Sequence, residues 1–280
     1  MGITTTASAG NNTNLRYSAF LGMLYISNTE VEATIKEAKA LPEVGEDAVK
    51  RGFAGNRGDS ASAKAISYLK EKGVAPVKVS GTLIAARAVE RGQADRKAVY
   101  LSVCLSDNEG RYWLSLDLGN PGVQMLARKL YNAVPGVETE LNLFATYEKR
   151  PGAARAYANH AASVRQNGVE VQGVSPKDKL APMVNSALTA LEAAGVPRTD
   201  RETYNKRRSA VELDYHVGLM SEVEPRFKDL YESGQDRAVT GGHAQSGMDA
   251  SGTSQGNAGS GDGDDFSDFP GGGFEDDMPF

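Results

Sequence analysis

The sequence has one cysteine, one tryptophan and three histidines in 280 residues. Cys104 alone cannot form an internal disulfide, and its apolar neighbours mark it as core, so a reducing, cytoplasmic setting is expected. His160, His216 and His243 stand far apart and give no zinc-ligand spacing. They also give no Ser/His/Asp or Cys/His arrangement for nucleophilic catalysis. The glycines between Gly52 and Gly58 are not followed by the Gly-Lys-Ser/Thr ending of a phosphate loop. Long hydrophobic runs are missing too: Val99–Leu105 is far short of the length that spans a bilayer. No basic start leads into an apolar secretory segment. Nothing here calls for an enzyme, a metal or a cofactor.

What is present divides unevenly along the chain. The net charge is −5, with 31 basic and 36 acidic residues. Residues 236–280 hold nine of the acids and a single base, Arg237. Subtracting these leaves 30 basic and 27 acidic residues in 1–235, a body of +3 followed by a tail of −8. The net charge by itself argues against a nucleic-acid ligand, but a mildly basic body with an acidic appendage is a different object from a uniformly acidic protein.

After Met1, residues 2–14 are Thr, Ser, Ala, Gly and Asn with Ile3 the one bulky apolar side chain, and 1–14 read as a flexible arm. Leu15–Ile26 is strongly apolar, and its periodicity does not decide between strand and helix. Helices are expected over Thr29–Ala40, with Pro42 beyond, and over Ser60–Lys72, stopped by Gly73. The middle of the chain is β-branched and aromatic: Pro76–Val89, Ala98–Leu105, Arg111–Leu118 and Glu140–Tyr147 read as strands. Asp107–Gly110 is the turn of a hairpin. Asn120–Val134 reads as a helix, with Pro121 in its first turn and Val123, Leu126, Ala127 and Leu130 at helical spacing. Strand, strand, strand, helix, strand is the order of an OB-fold, a five-stranded Greek-key barrel. The fifth strand is either Gly168–Val174, favoured by Val169, Val171 and Val174, or the segment near Leu15. The former leaves 150–166 as a long connection. Further helices are expected at Leu180–Ala194 and Glu222–Glu232, and Tyr204–Leu219 carries no clear signal. The fold class is therefore mainly β with added helices: an OB-type domain over 15–235 and a disordered Gly-rich acidic tail over 236–280.

The tail ends in acid clusters alternating with Phe266, Phe269, Phe274 and Phe280. Solubility alone does not require exposed aromatics, which oppose it. In Phe280 the ring and the α-carboxylate belong to one residue. A partner needs only an apolar pocket beside a basic side chain to hold both, with Pro279 limiting the entropy lost. Asp276 and Asp277 would meet a basic rim and speed association. Glu275-Asp276-Asp277-Met278-Pro279-Phe280 and the Gly-rich stretch before it resemble the ending of bacterial single-stranded-DNA-binding proteins. That resemblance implies an OB-fold body and a tip, Asp276–Phe280, that docks replication, recombination and repair proteins. It covers about the last twenty residues closely. The body is longer than the bacterial core and its barrel begins late, which suggests a bacteriophage member of the family and leaves self-association open.

Binding single strands without sequence preference requires cations that follow phosphates and aromatic faces that stack bases. Arg87, Arg91, Arg96 and Lys97 surround the tip of the first expected hairpin, among Glu90 and Asp95. Tyr147, Lys149, Arg150, Arg155 and Tyr157 mix cations and rings after the fourth strand. Tyr112 and Trp113 are neighbours on one strand and face opposite sides, so one is core and the other a stacking platform. Lys206-Arg207-Arg208 ranks third, because charge runs are usually solvated faces. At −8 the tail can also occupy the basic groove when DNA is absent. The alternative to DNA binding is an adaptor that mimics the tip to capture host enzymes.

Overall fold

The computed structural model describes residues 12–44, 61–92, 98–108, 110–148 and 157–230. Among them are the strands β1 (Asn12–Ser18), β2 (Met23–Ile26), β3 (Val79–Arg91), β4 (Ala98–Ser106), β5 (Arg111–Asp117), β6 (Glu138–Glu148), β7 (Tyr157–Gln166) and β8 (Val169–Glu170). The helices are α1 (Thr29–Lys39), α2 (Ala61–Glu71), α3 (Pro121–Asn132), α4 (Leu180–Ala193) and α5 (Arg201–Val223), followed by a 3-10 turn at Glu224–Phe227.

The expected strand–strand–strand–helix–strand order is β3, β4, β5, α3, β6. β3 pairs with β4, β4 with β5 and β3 with β6, all antiparallel. The Asp107 carboxylate fixes the β4–β5 turn by accepting from the Gly110 N–H at 3.0 Å and the Tyr112 hydroxyl at 2.9 Å. β1 then pairs parallel with β5, Leu15 opposite Leu114, and antiparallel with β2. β2 meets β6 at Met23 and Phe144, which closes the ring β1-β5-β4-β3-β6-β2. The protein is a mainly-β, OB-like closed barrel of six strands with β7, β8 and the helices added outside.

The N-terminal hairpin β1–β2, and not Gly168–Val174, thus takes the place of the fifth strand. Gly168–Val174 supplies only the two-residue β8 on the outer edge of β7, and Val169 is 70% exposed there. The expected connection 150–166 contains a ten-residue strand, β7, paired with β6 from Thr139 to Glu148. Its inward residues include Ala162 and Val164, and its small side chains gave the segment little β signal. The expected flexible arm is corrected at its end: Asn12, Thr13 and Asn14 already pair with Arg111, Tyr112 and Trp113. The unassigned stretch Tyr204–Leu219 is the middle of the 23-residue α5, which also absorbs the start of the short helix expected at 222.

The core is one apolar cluster inside the ring, built from Leu15, Leu24, Leu83, Leu101, Leu114 and Leu141 with Leu126 and Leu130 of α3. Asn120 caps α3 by accepting from the Gly122 N–H, and Val123, Leu126, Ala127 and Leu130 are its buried face, as their spacing predicts. The Gln166 side chain bonds both the N–H and the carbonyl of Val134 and also Thr139, tying the end of α3 to β6 and β7. Tyr17 of β1 reaches His160 of β7 across the barrel end at 2.7 Å. α1 and α2 make a separate cluster with Phe20, Met23 and Tyr25 on the outside of β2. There Glu32 accepts from Ser27 at 2.7 Å and pairs with Arg16. α5 packs Val211, Tyr215, Leu219 and Val223 into the main core.

Candidate nucleic-acid interface

The geometry of the candidate site follows from sheet register. Residues directly opposite in adjacent strands share a face, and faces alternate along each strand. Cys104 faces Trp113, which faces Asn14 across the parallel β1–β5 pair. Ser102 faces Arg87 on one side and Ser115 on the other. Tyr100 faces Val89 and Asp117, and Ser106 faces Arg111. Arg87, Arg91, Tyr100, Arg111 and Trp113 therefore lie on one outer face of β3, β4 and β5, while Leu101, Val103, Tyr112 and Leu114 point into the barrel.

Trp113 is half-buried and packs on Ile84, Ala85 and Cys104, a small apolar cluster distinct from the barrel core. A register shift between Leu83 and Ala85 marks a bulge in β3, and both Ile84 and Ala85 belong to this outer cluster. Cys104 is fully buried beneath the ring, and burial pushes its thiol up to about 12, so it supports Trp113 and offers no nucleophile. Four residues along β4, about 13 Å at strand rise, stands Tyr100. The Arg91 guanidinium lies 5.5 Å from the centre of its ring. Arg87 is half-buried, with Nη1 4.0 Å from the Glu224 carboxylate beside β3. The result is two aromatic faces about 13 Å apart, flanked by three arginines on a face of serines and Asn14.

Of the residues expected to touch DNA, Arg87, Arg91 and Trp113 are brought together here. Tyr112 is the core member of the Tyr112–Trp113 pair: it is 4% exposed and its hydroxyl is held by Asp107, so it presents no face to a base. Tyr147 and Tyr157 stand at the far end of the β6–β7 ladder, where Tyr157 pairs with Glu148, and not among β3–β5. Arg96, Lys97, Lys149, Arg150 and Arg155 lie outside the described residues, as do Asp276, Asp277, Met278, Pro279 and Phe280. Lys206, Arg207 and Arg208 lie on α5, where Lys206 pairs with Glu202 at 2.6 Å, one turn before it. Tyr100 and Arg111 were not singled out from sequence. The signal was there, because the Asp107–Gly110 turn fixes the register that puts Arg111, Trp113 and Tyr100 on one face.

Elsewhere a polar cluster ties α3 to β7 and β8. Glu170 accepts from Lys129, Ser163 and the Val164 N–H, and these bonds outweigh its desolvation and hold its carboxyl down to about 2. Among the described residues no cluster of His, Cys, Asp and Glu could hold a metal ion, and no helix is long and apolar enough to cross a membrane. Comparison of the chain with protein-family models, with curated proteins and with solved structures returns no match.

Proposed function

We propose that this protein binds single-stranded DNA without sequence preference on the outer face of β3, β4 and β5, and recruits replication, recombination and repair proteins through Asp276–Phe280. The observation that carries the first half is the sharing of that face by Trp113, Tyr100, Arg87, Arg91 and Arg111. Aromatic faces stack any base, and guanidinium groups follow phosphate without reading sequence, so this combination suits a single strand of any composition. In an OB-type barrel this is also the side open to an oligonucleotide. The second half rests on the acidic, apolar ending and its resemblance to bacterial single-stranded-DNA-binding proteins. No catalytic step is needed: the protein coats and protects the strand while the tip gathers enzymes.

The test is fluorescence anisotropy of the full chain on labelled oligo-dT and on a duplex of equal length, over a salt series. Preferential binding to oligo-dT, with affinity falling steeply as salt rises, supports the reading. Absence of binding to oligo-dT at low salt refutes the DNA half and leaves an adaptor that acts through its tip alone.

A further inference from the structure

On the opposite side of the barrel the outer surface carries a second feature. In the ring order the β2–β6 seam stands across from β4 and β5. A groove of about 390 Å³ runs along that seam, between β6 and α2, with Ile66, Pro76 and Phe144 on its walls, Met23 in its floor and Lys78 at its rim. Ile66 and Phe144 are only half-buried and Pro76 and Lys78 are exposed, so this apolar lining is unfilled by the described residues around it. Lys78 lines it, and Lys70 stands one turn after Ile66 on the same face of α2. An apolar slot flanked by two lysines is the complement of an acidic peptide with apolar side chains at its end.

We propose that this groove is a binding site for such a peptide and that its resident ligand is the chain's own Glu275–Phe280, seated in cis. Met278, Pro279 and Phe280 enter the slot, and Glu275, Asp276 and Asp277 meet the lysines. This rests on the reading of Asp276–Phe280 as a docking peptide. The tether reaches. The side chain of Leu230 lies beside Gly136, just before β6, and the groove starts six residues further on at Asn142, about 20 Å away at strand rise. Fifty residues follow Leu230, and a Gly/Ser-rich chain of that length spans about 35–42 Å on average. Tethering of this kind supplies an effective concentration near the millimolar range, so even a weak peptide site is occupied. The seated tip is sheltered from partners, which must compete for it, and the DNA face on the far side stays open. An acidic tail lying on the arginines of that face would do the reverse.

The test compares methyl-labelled full-length protein with Phe280→Ala and with Lys78→Glu, an exposed position whose reversal leaves the core intact. Phe280→Ala is expected to shift the Ile66 and Met23 methyl signals and to leave the Trp113 indole signal in place. Lys78→Glu is expected to move the same methyls in the same direction. Identical groove signals in wild type and Phe280→Ala overturn the proposal. Shifts centred on Trp113 overturn it in favour of a tail on the DNA face, and shifts that fade on dilution overturn it in favour of a tip from a second copy. The groove signals report whether or not DNA binds or partners are captured, so this proposal and the functional reading fail separately.

Discussion

Trp113 is the residue whose replacement discriminates best between a stacking face and an ordinary half-buried core residue. Its ring covers Ile84, Ala85 and Cys104, so truncation to alanine would open a void and confuse stability with binding. Trp113→Leu keeps a smaller apolar cover over Cys104, limits the void and removes the π-face. Stacking of a base on an aromatic side chain is worth about 1–3 kcal/mol, so affinity for oligo-dT should fall by about 5- to 150-fold. Trp113→Phe, which retains a ring, should fall by much less. No phosphate contact is lost in either variant, so the slope of log affinity against log salt should stay unchanged. The control is Tyr112→Phe. It removes the 2.9 Å bond to Asp107 inside the turn and should cost about 1 kcal/mol of stability with no change in DNA affinity. Anisotropy titrations on oligo-dT at several salt concentrations, with urea melts of each variant, give all four quantities. Wild-type affinity in Trp113→Leu would refute the stacking role, and so would a loss accompanied by a shallower salt slope.

Arg111→Ala and Arg91→Ala should each weaken oligo-dT binding and flatten the salt slope by about 0.7, the contribution of one phosphate on a single strand; a salt series on each variant reads this directly. Gly81→Ala should destabilise the barrel by about 1–3 kcal/mol, since a Cβ there would lie 2.9 Å from the Ser106 carbonyl oxygen, a backbone atom; a shift of the urea midpoint measures it. Acid should weaken the α5 packing through His216, which is 1% exposed and donates Nδ1–H to the Glu212 carbonyl at 2.6 Å. Burial first, and the Arg128 charge facing it from α3, hold its pKa down to about 4 against an ordinary 6.5. The unfolded chain takes up the proton first, so this stability is complete above about pH 6.5 and drains away as pH falls toward 4. The loss between pH 7 and pH 5 is about 2 kcal/mol, and His216→Leu should remove that part of the pH dependence in urea melts.

Much of the site could be read before the fold was known, and the part that could not has a definite cause. Arg87, Arg91 and Trp113 were visible as cations and a ring in strand-like sequence. That they share a face depends on two ladders, Arg87 to Ser102 to Ser115 and Cys104 to Trp113. The second is local and follows from the Asp107–Gly110 turn. The first runs in unbroken register from Arg91 opposite Ala98 to Ala85 opposite Cys104; the bulge between Leu83 and Ala85 lies beyond it and turns both Ile84 and Ala85 to the cluster under Trp113, without leaving a clear mark in composition. Tyr100 was passed over because it lies in the apolar run Val99–Leu105, where no alternation advertises an outward ring. The choice between Tyr112 and Trp113 is settled by the ladder, where Leu15 opposite Leu114 puts the Tyr112 side of β5 inward, and by the burial of Tyr112.

The same dependence explains the fifth strand. Both candidate segments were apolar, and Gly168–Val174 had the more regular valine spacing, but spacing says nothing about which strand edge is open. The edge left open by β3, β4 and β5 is that of β5, and it accepts a parallel neighbour. A parallel partner cannot follow β5 by a tight turn and needs a crossover connection. α3 already leads the chain to β6 on the other side of the ring, and β7 then folds back along β6 and continues into β8. The N-terminal hairpin meets the requirement without a crossover from β5, because β1 arrives from the start of the chain and β2 turns back to close on Phe144. That closure also creates the β2–β6 seam and, with α2 inserted between β2 and β3, the groove beside Lys78. Lys78 would lie beside β6 in any case, because Val79 pairs with Leu141, but a barrel closed by a C-terminal strand would have no β2–β6 seam for α2 to line.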